Sequence, residues 1–419
     1  MSDRTDHTPG EPRASDSRPE LGVLTSVRAF AALEVVLLHT LFELGGTWAL
    51  ALPAPLRRIL TEGQVAVSFF FVLSGFILTY TYWDPPGDLR GSPRHFWRAR
   101  FARIYPLYLL AFIMDAPRGL VSFSTASPAA LGAWMRIAIS AFAYLTLTQS
   151  WHPRVTNSWN TPGWSLSAEA FFYALFPRLV AATKAHSRRR LLLVAVVAWS
   201  VPLIVYAAVA GFGGAFLHRA DVQTFWRSFP LLRVPEFVLG VGAGALYVSG
   251  ELAARRRGLR RLAFFALAGI VILLAAPLPL PKELVENTLE APLFAIVIAA
   301  LASGALPVPR WLTSAPLLLL GRASYAVYIV HQPFKSLFLW SAARLGVPSL
   351  APSPVLLGCY LVSLQLLCVA LLISVEDPLR RLLNHRRADA RSASSTTASP
   401  SSSKSSGVVS GTRNRTTLP

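Results

Sequence analysis

This 419-residue sequence has few charged residues and few cysteines, and each shortage excludes a class of protein. Charged residues make up 15% of the chain, whereas soluble domains have about 25%. Hydrophobic residues reach 53%, which favours a membrane protein over an ordinary soluble fold. The 2 cysteines, Cys359 and Cys368, lie in one apolar run, so we expect neither a disulfide framework nor a metal site.

Acidic residues are also scarce, at 21 against 40 Lys and Arg, which gives a formal net charge of +19. Such an excess can indicate nucleic-acid binding, but the basic residues here cluster in short loops between apolar runs. The strongly basic stretches are 84–103, 178–190, 250–261 and 380–391. The positive-inside rule predicts that all four face the cytoplasm, and no nucleic-acid partner is expected.

Apolar runs of transmembrane length recur along most of the chain and predict an all-α, polytopic transmembrane bundle. The eleven segments are 22–44, 64–83, 104–122, 131–150, 164–182, 190–210, 231–249, 261–279, 290–308, 315–340 and 354–376. Three of them lie between the basic stretches 84–103 and 178–190, where an even number of crossings is required. We expect segment 104–122, which contains Pro106, Asp115, Pro117 and Arg118, to be broken or interfacial. About ten spans and two cytoplasmic termini follow.

Both ends of the chain differ in composition from this apolar part. Residues 1–20 are polar and rich in proline, and residues 385–419 are rich in serine and threonine. Neither stretch contains enough apolar residues to bury a core, so both are expected to be disordered. The membrane domain is therefore predicted to occupy residues 21–384.

Ionisable residues inside the apolar segments are candidates for function, because burying them in a membrane is costly. In the first segment, Arg28 and His39 are eleven positions apart. At about 100° per residue they share one helix face, about 16 Å apart along the axis. Glu34 lies about 140° from His39 around the helix, so we expect it to meet another helix. A snorkelling Arg28 and a His39 bonded to a neighbouring helix remain open alternatives.

Other segments contribute further candidates. Arg98, Arg100 and Arg103 form a cluster that suits phosphate groups, although the positive-inside rule predicts the same cluster without a ligand. Arg233 and Glu236 are three positions apart, which favours a structural ion pair on one helix. The remaining candidates are Glu169 in WSLSAEAFFYALFP, His331 in GRASYAVYIVHQP, and the helix-end charges Glu376 and Asp377.

Seven of these stretches, taken in order, resemble the motifs of membrane-bound acyltransferase family 3. They are LTSVRAFAALEVVLLH (24–39), VAVSFFFVLSGFIL (65–78), RARFARIYPLY (98–108), WSLSAEAFFYALFP (164–177), RVPEFVLG (233–240), GRASYAVYIVHQP (321–333) and VEDPL (375–379). The resemblance covers about residues 21–380. Departures are modest: LTSVRAF stands where many members have LDGLRA, and Ala168 stands where valine is common.

This resemblance implies ten transmembrane helices and an O-acyltransferase that uses acyl-CoA, most often acetyl-CoA. The acceptors it implies are hydroxyl groups of surface carbohydrates or of small molecules such as macrolides. It also implies a catalytic His39 paired with Arg28, a basic pair at Arg100 and Arg103, and Glu169 as the acid of the WSLxxE motif.

The predicted topology places these residues at two depths. His39, Glu169 and His331 are expected in the outer half of the membrane, with Trp164 at the outer interface and the cluster 98–103 at the inner boundary. We hypothesise that acyl-CoA binds through its phosphates to this cluster and extends past Arg28. His39 would be the general base, since the unperturbed pKa of histidine is about 6.5. Glu169 would orient its ring, stabilise the imidazolium or bind the acceptor, and these alternatives stay open. An acyl-imidazole on His39 is an open alternative.

Two other functions are weighed against acyl transfer. A transporter or flippase would line its substrate path with the same buried charges, and a non-catalytic scaffold would leave Arg28, His39 and Glu169 dispensable. All but four of the 40 basic residues are arginine, a bias typical of GC-rich bacterial genomes, so we expect the plasma membrane of a bacterium. The side from which the acceptor enters stays open.

Overall fold

The structure is a computed structural model that describes residues 18–85, 87–125, 130–182, 188–211, 219–278, 280–344 and 351–379. Almost every described residue belongs to a helix. The predicted disordered stretch 385–419, and residues 1–17 of the other one, lie outside the described residues.

The described helices follow the predicted apolar segments closely. They are α1 (Gly22–Gly45), α2 (Thr47–Ala51), α3 (Ala54–Thr61), α4 (Gly63–Tyr82), α5 (Pro93–Thr125), α6 (Ala130–Leu145), α7 (Pro153–Thr156), α8 (Trp164–Ala182), α9 (Arg188–Gly211), α10 (Ala220–Ser228), α11 (Pro230–Val248), α12 (Arg256–Ala275), α13 (Lys282–Leu284), α14 (Ala291–Ala302), α15 (Ala315–Arg344) and α16 (Pro354–Leu371). A two-residue hairpin, β1 (Trp83–Asp84) with β2 (Asp88–Leu89), follows α4. Each of the eleven predicted segments is therefore helical.

Among the described residues, 7 helical stretches are long and apolar enough to cross a membrane. They comprise α4, α5, α9, α10 with α11, α12, α13 with α14, and α16. The other long helices, α1, α8 and α15, are not among the seven, and they carry charged residues such as Arg28, Glu169 and Lys335. The predicted all-α, multi-pass membrane fold is confirmed, while the number of spans and the side of each terminus stay predictions.

The predicted break in segment 104–122 is wrong. Helix α5 runs without interruption for 33 residues and contains both Pro106 and Pro117. Its buried Asp115 is neutralised three positions later by Arg118, at 2.6 Å between Nη2 and Oδ2. Arg118 also donates a hydrogen bond to the carbonyl oxygen of Trp159, at 2.8 Å. Because these contacts satisfy both charges, the polar residues that indicated a break are accommodated within one helix.

The neighbouring helix α6 is the short one instead. It has 16 residues, whereas a perpendicular span of the roughly 30 Å hydrocarbon core takes about 20. If one of the three segments between the basic stretches fails to span, helix length therefore favours α6 over α5.

The core of the bundle contains two close helix pairs, α1 with α15 and α4 with α11. At Gly240 on α11, an added β-carbon would collide with the carbonyl oxygen of Val72 on α4. At Gly321 on α15, it would collide with the carbonyl oxygen of Thr25 on α1. Small residues allow transmembrane helix backbones to approach this closely, and these contacts fix how α4 faces α11 and how α1 faces α15.

Candidate active site

A cavity of about 110 Å³ lies between α1, α4, α5, α8 and α15. Its polar lining includes three arginines, one carboxylate and hydroxyl groups, among them Arg28, Arg100, Arg103, Glu169, Ser74 and Tyr173. The charged lining is thus net positive, with three guanidinium groups and one carboxylate. Arginine clusters of this kind suit phosphate and carboxylate ligands.

The carboxylate of Glu169 is held inside this cavity by two hydroxyl donors. Ser74 on α4 donates to Oε1 at 3.0 Å, and Tyr173 donates to the same oxygen at 2.5 Å. Tyr173 lies four residues after Glu169, so helical periodicity of α8 places both on one face. The sequence alone offers Ser74 no evident role, and here it fixes the orientation of a carboxylate.

The arginines of the cavity lie close to one another and to two carboxylates. The charge of Arg28 interacts with those of Arg103, Glu169 and Glu376. Glu376 comes from the turn of π-helix Leu372–Glu376 that follows α16. Arg100 also donates to the hydroxyl of Tyr82 at 3.1 Å. Arg28 therefore lines the cavity within a half-buried charge cluster and does not extend toward the lipid headgroups.

A second polar group, the histidine pair, consists of His39 on α1 and His331 on α15. The Nδ1 of His39 lies 3.3 Å from the Nε2 of His331, and the ring centroids are 5.1 Å apart. His331 is fully buried, while His39 is half-buried. One turn further along both helices, Lys335 pairs with Glu43 at 2.5 Å and donates to the carbonyl oxygen of His39 at 3.2 Å.

The cavity and the histidine pair meet on α15. Tyr328 lines the cavity, and its carbonyl oxygen lies 2.7 Å from the Nδ1 of His331. Three residues of helix correspond to about 4.5 Å along the axis, so the cavity wall reaches to within one turn of the histidines. The cavity that contains the arginines thus ends about one helical turn from the histidine pair, and neither histidine lines it.

The structure groups the predicted residues differently from the predicted topology. Glu169 was expected in one layer with both histidines, whereas in the structure it lines the arginine cavity. Trp164, expected at the outer interface, is 4% exposed and packs against Phe71, so it does not face the lipid headgroups, and its depth in the membrane stays a prediction. The loop before α8 is partly buried, including Gln149 and Asn160, and α8 begins with the buried Trp164.

Arg233 and Glu236 form the expected ion pair within α11, at 3.0 Å with both side chains 1% exposed. The guanidinium of Arg233 also lies over the rings of Phe71 and Trp164, 5.1 and 5.7 Å from their centroids. Phe71 lines the cavity. The pair therefore supports the cavity wall from behind instead of facing the cavity itself.

Two predicted residues lie outside both groups. Arg98 is exposed and does not line the cavity, although it precedes Arg100 by only two positions on α5. The charge of Glu34 faces Glu62, just before α4, and its buried Oε1 has no hydrogen-bond partner among the described residues. Glu34 thus meets the start of α4 and not the histidines.

Sequence reasoning missed Tyr173, Tyr328 and the role of Glu376 beside the arginines. The positions of the first two carried a signal, since Tyr173 is four residues after Glu169 and Tyr328 is three before His331. Glu376 carried none, because its approach to Arg28 depends on how the last helix packs. No group of three or more His, Cys, Asp or Glu in the described part of the chain is placed to hold a metal ion.

Fold and site together define a multi-pass helical membrane protein with a cationic cavity that ends near a histidine pair. The chain belongs to acyltransferase family 3, whose family model, described as an acyltransferase domain, matches residues 23–373. This match covers most of the chain and confirms the resemblance inferred from the motifs. The protein is therefore an acyltransferase by family.

Individual relatives agree with this assignment. Acyltransferase MdmB of Streptomyces mycarofaciens is 31% identical over 385 residues, covering 87% of this chain and 92% of the relative. Exopolysaccharide production protein ExoZ of Rhizobium meliloti (strain 1021) is 28% identical over 342 residues, covering 79% and 93%. Protein 2 in picA locus of Rhizobium radiobacter is 31% identical over 204 residues, covering 46% and 98%. No solved structure matches this chain.

Proposed function

We propose that this protein transfers an acyl group, most simply acetyl, from acyl-CoA to a hydroxyl group of a carbohydrate or secondary metabolite in a bacterial plasma membrane. The observation that carries the proposal is the cavity lined by Arg28, Arg100, Arg103 and Tyr328, the last of which lies one turn from the histidine pair. An anionic donor bound at the arginines would point its acyl end along this cavity toward His39.

The cavity arginines match the charge of the donor. Coenzyme A carries phosphate groups, and guanidinium groups bind phosphates through paired hydrogen bonds. The pantetheine arm that links the phosphates to the thioester is long and narrow, so it suits a cavity walled by α4 and α15. Glu169 and its hydroxyl donors would then fix the arginines from the opposite wall.

The chemical step follows from a base at His39. The Nε2 of His39 takes the proton of the acceptor hydroxyl while the oxygen attacks the thioester carbonyl carbon. A carbon–oxygen bond forms, the carbon–sulfur bond breaks, and the CoA thiolate leaves with the proton from His39. In the alternative course, Nε2 first takes the acyl group and then passes it to the acceptor. Both courses yield an ester and free CoA.

Replacing His39 with alanine should lower CoA release at least about 100-fold, because the base is removed. The measurement is thiol release from acetyl-CoA by the purified, full-length protein in nanodiscs, with acceptor acylation followed by mass spectrometry. An unchanged Tm would show that the variant is folded. A folded His39→Ala protein with wild-type turnover would refute the base, and no CoA release by the wild-type protein with any acceptor would refute acyl transfer from CoA.

A further inference from the structure

Both rings of the histidine pair have one nitrogen whose protonation is fixed by a backbone contact. The Nδ1 of His39 lies 2.9 Å from the carbonyl oxygen of Val35, four residues earlier. The Nδ1 of His331 lies 2.7 Å from the carbonyl oxygen of Tyr328, three residues earlier. A carbonyl oxygen only accepts hydrogen bonds, so each Nδ1 carries the hydrogen.

This assignment of the hydrogens decides which ring nitrogen donates and which accepts between the two histidines. A neutral histidine with a hydrogen on Nδ1 has a free lone pair on Nε2. The lone pair on Nε2 of His331 faces the Nδ1–H of His39 at 3.3 Å. This N–H thus donates a bifurcated hydrogen bond to Nε2 of His331 and to the carbonyl oxygen of Val35. The Nε2 of His39 is consequently unprotonated and is the nitrogen left over for chemistry.

Solvent exposure also indicates that His39, and not His331, is the ring available for chemistry. His331 is 0% exposed and sits between helices, with Tyr360 donating to its carbonyl oxygen at 2.7 Å. His39 is half-buried and retains an accessible side. A substrate can therefore reach His39, whereas His331 can act on the reaction only through His39.

We propose that His331 is a positioning residue, which acts with the Val35 carbonyl to keep Nε2 of His39 as the reactive nitrogen and stabilises the imidazolium that forms there. This inference rests on the proposed role of His39 as the base. When Nε2 of His39 takes the hydroxyl proton, the Nδ1–H of the His39 ring becomes a stronger hydrogen-bond donor. The Nε2 lone pair of His331 accepts this strengthened hydrogen bond. The proton on Nε2 then leaves with the CoA thiolate, and the hydrogen on Nδ1 stays in place throughout.

A neutral partner suits this location better than a carboxylate would. Histidine can orient a neighbouring imidazole without adding a charge to the interior of the bundle, where an ionised side chain is costly. The Lys335–Glu43 pair, four residues further along both helices, holds the backbone of His39 from the side away from the cavity. Orientation of the base is thus shared by two contacts between α1 and α15.

The test compares His331→Phe with His331→Gln in the purified, full-length protein. Phenylalanine removes the acceptor, and we expect kcat to fall about 10- to 100-fold, the usual cost of losing a residue that orients a functional histidine. The KM for acetyl-CoA should change less than about twofold, because the donor binds at the arginines. Glutamine keeps an acceptor oxygen near Nδ1 of His39 and should restore most of kcat.

Tyr360→Phe is the matched control, since it removes a buried hydrogen bond to the His331 backbone and leaves the ring alone. It should lower Tm slightly and leave kcat unchanged. If His331→Phe lowers kcat no more than Tyr360→Phe does, the positioning role is refuted. A folded His331→Gln protein as slow as His331→Phe would likewise refute the hydrogen-bond explanation.

Two outcomes separate this inference from the proposed function. An inactive His39→Ala variant beside a fully active His331→Phe variant refutes the positioning role and leaves the base in place, whereas an active His39→Ala variant refutes the base itself.

If His331→Phe does not fold, ¹⁵N NMR of histidine-labelled wild-type protein tests the inference by showing which ring nitrogen of His39 carries the hydrogen. The His39 signal is assigned as the one that disappears from the spectrum of His39→Gln. A hydrogen on Nδ1 of His39 supports the inference, and a hydrogen on Nε2 overturns it.

Discussion

At the scale of single residues, the side chains of α5 separate a cluster that the sequence treats as one. Arg98, Arg100 and Arg103 share one basic motif, yet Arg100 and Arg103 line the cavity and Arg98 is exposed. A helix turns about 100° per residue, so neighbours in a motif commonly face different surroundings. In the structure, Arg100 and Arg103 are therefore placed to bind an anion in the cavity, and Arg98 is not.

Arg103→Ala should raise the KM for acetyl-CoA about 10-fold or more, because a charge-assisted contact with the donor contributes about 1.5 to 3 kcal/mol. Arg98→Ala should have a smaller effect. Arg94→Ala, an exposed position near the start of the same helix, controls for lost surface charge. Steady-state kinetics with varied acetyl-CoA measures all three variants, and equal KM values for Arg103→Ala and Arg94→Ala would contradict donor binding in the cavity.

At the scale of helices, the contact between α4 and α11 supports one wall of the cavity. Helix α4 contributes Ser74 and Phe71 to that wall, and α11 places Arg233 over the Phe71 ring. The two backbones touch at Gly240, where no side chain fits, while Gly242 meets only the methyl group of Ala195, at 3.8 Å. Two glycines on one helix therefore have different structural roles.

Gly240→Ala should destabilise the protein by about 1 to 3 kcal/mol, because its β-carbon must push α4 away from α11. Gly242→Ala has ordinary contact distances and should be neutral or slightly stabilising, since alanine favours a helix over glycine by up to about 1 kcal/mol. Thermal unfolding of both variants in the same detergent makes the comparison. Equal Tm values would show that close packing of these helices does not limit stability.

At the scale of the whole molecule, charge and helix length together predict the orientation in the membrane. The loop 250–261 contains five arginines, and the loop 281–290 contains three glutamates and one lysine. The positive-inside rule places the first loop in the cytoplasm, and α12, with 20 residues, is long enough to carry the chain across to the second.

Single cysteines at two exposed positions test this orientation. In a background with Cys359→Ser and Cys368→Ala, a membrane-impermeant maleimide applied to intact cells should label Lys282→Cys and not Ala254→Cys. Permeabilised cells should show labelling of both, which controls for reactivity. The reverse pattern on intact cells would invert the topology and place the arginine cavity on the outer side.

The sequence alone determined the helices, the family and the relations within each helix. All eleven apolar segments became helices, because hydrophobic runs of this length are stable in a membrane only when the backbone bonds to itself. Arg28 and His39 share a face of α1, and Arg233 pairs with Glu236 on α11, because periodicity fixes both relations locally.

Only the tertiary structure decided which polar residues on different helices contact one another. It placed Glu169 with the arginines and His331 against His39, and it brought Glu376 toward Arg28. These relations depend on the axial shift and rotation of one helix against another. Close backbone contacts, such as Gly321 against Thr25, and the partly buried loop before α8 set that shift, and neither is encoded in the hydrophobic pattern of a single segment.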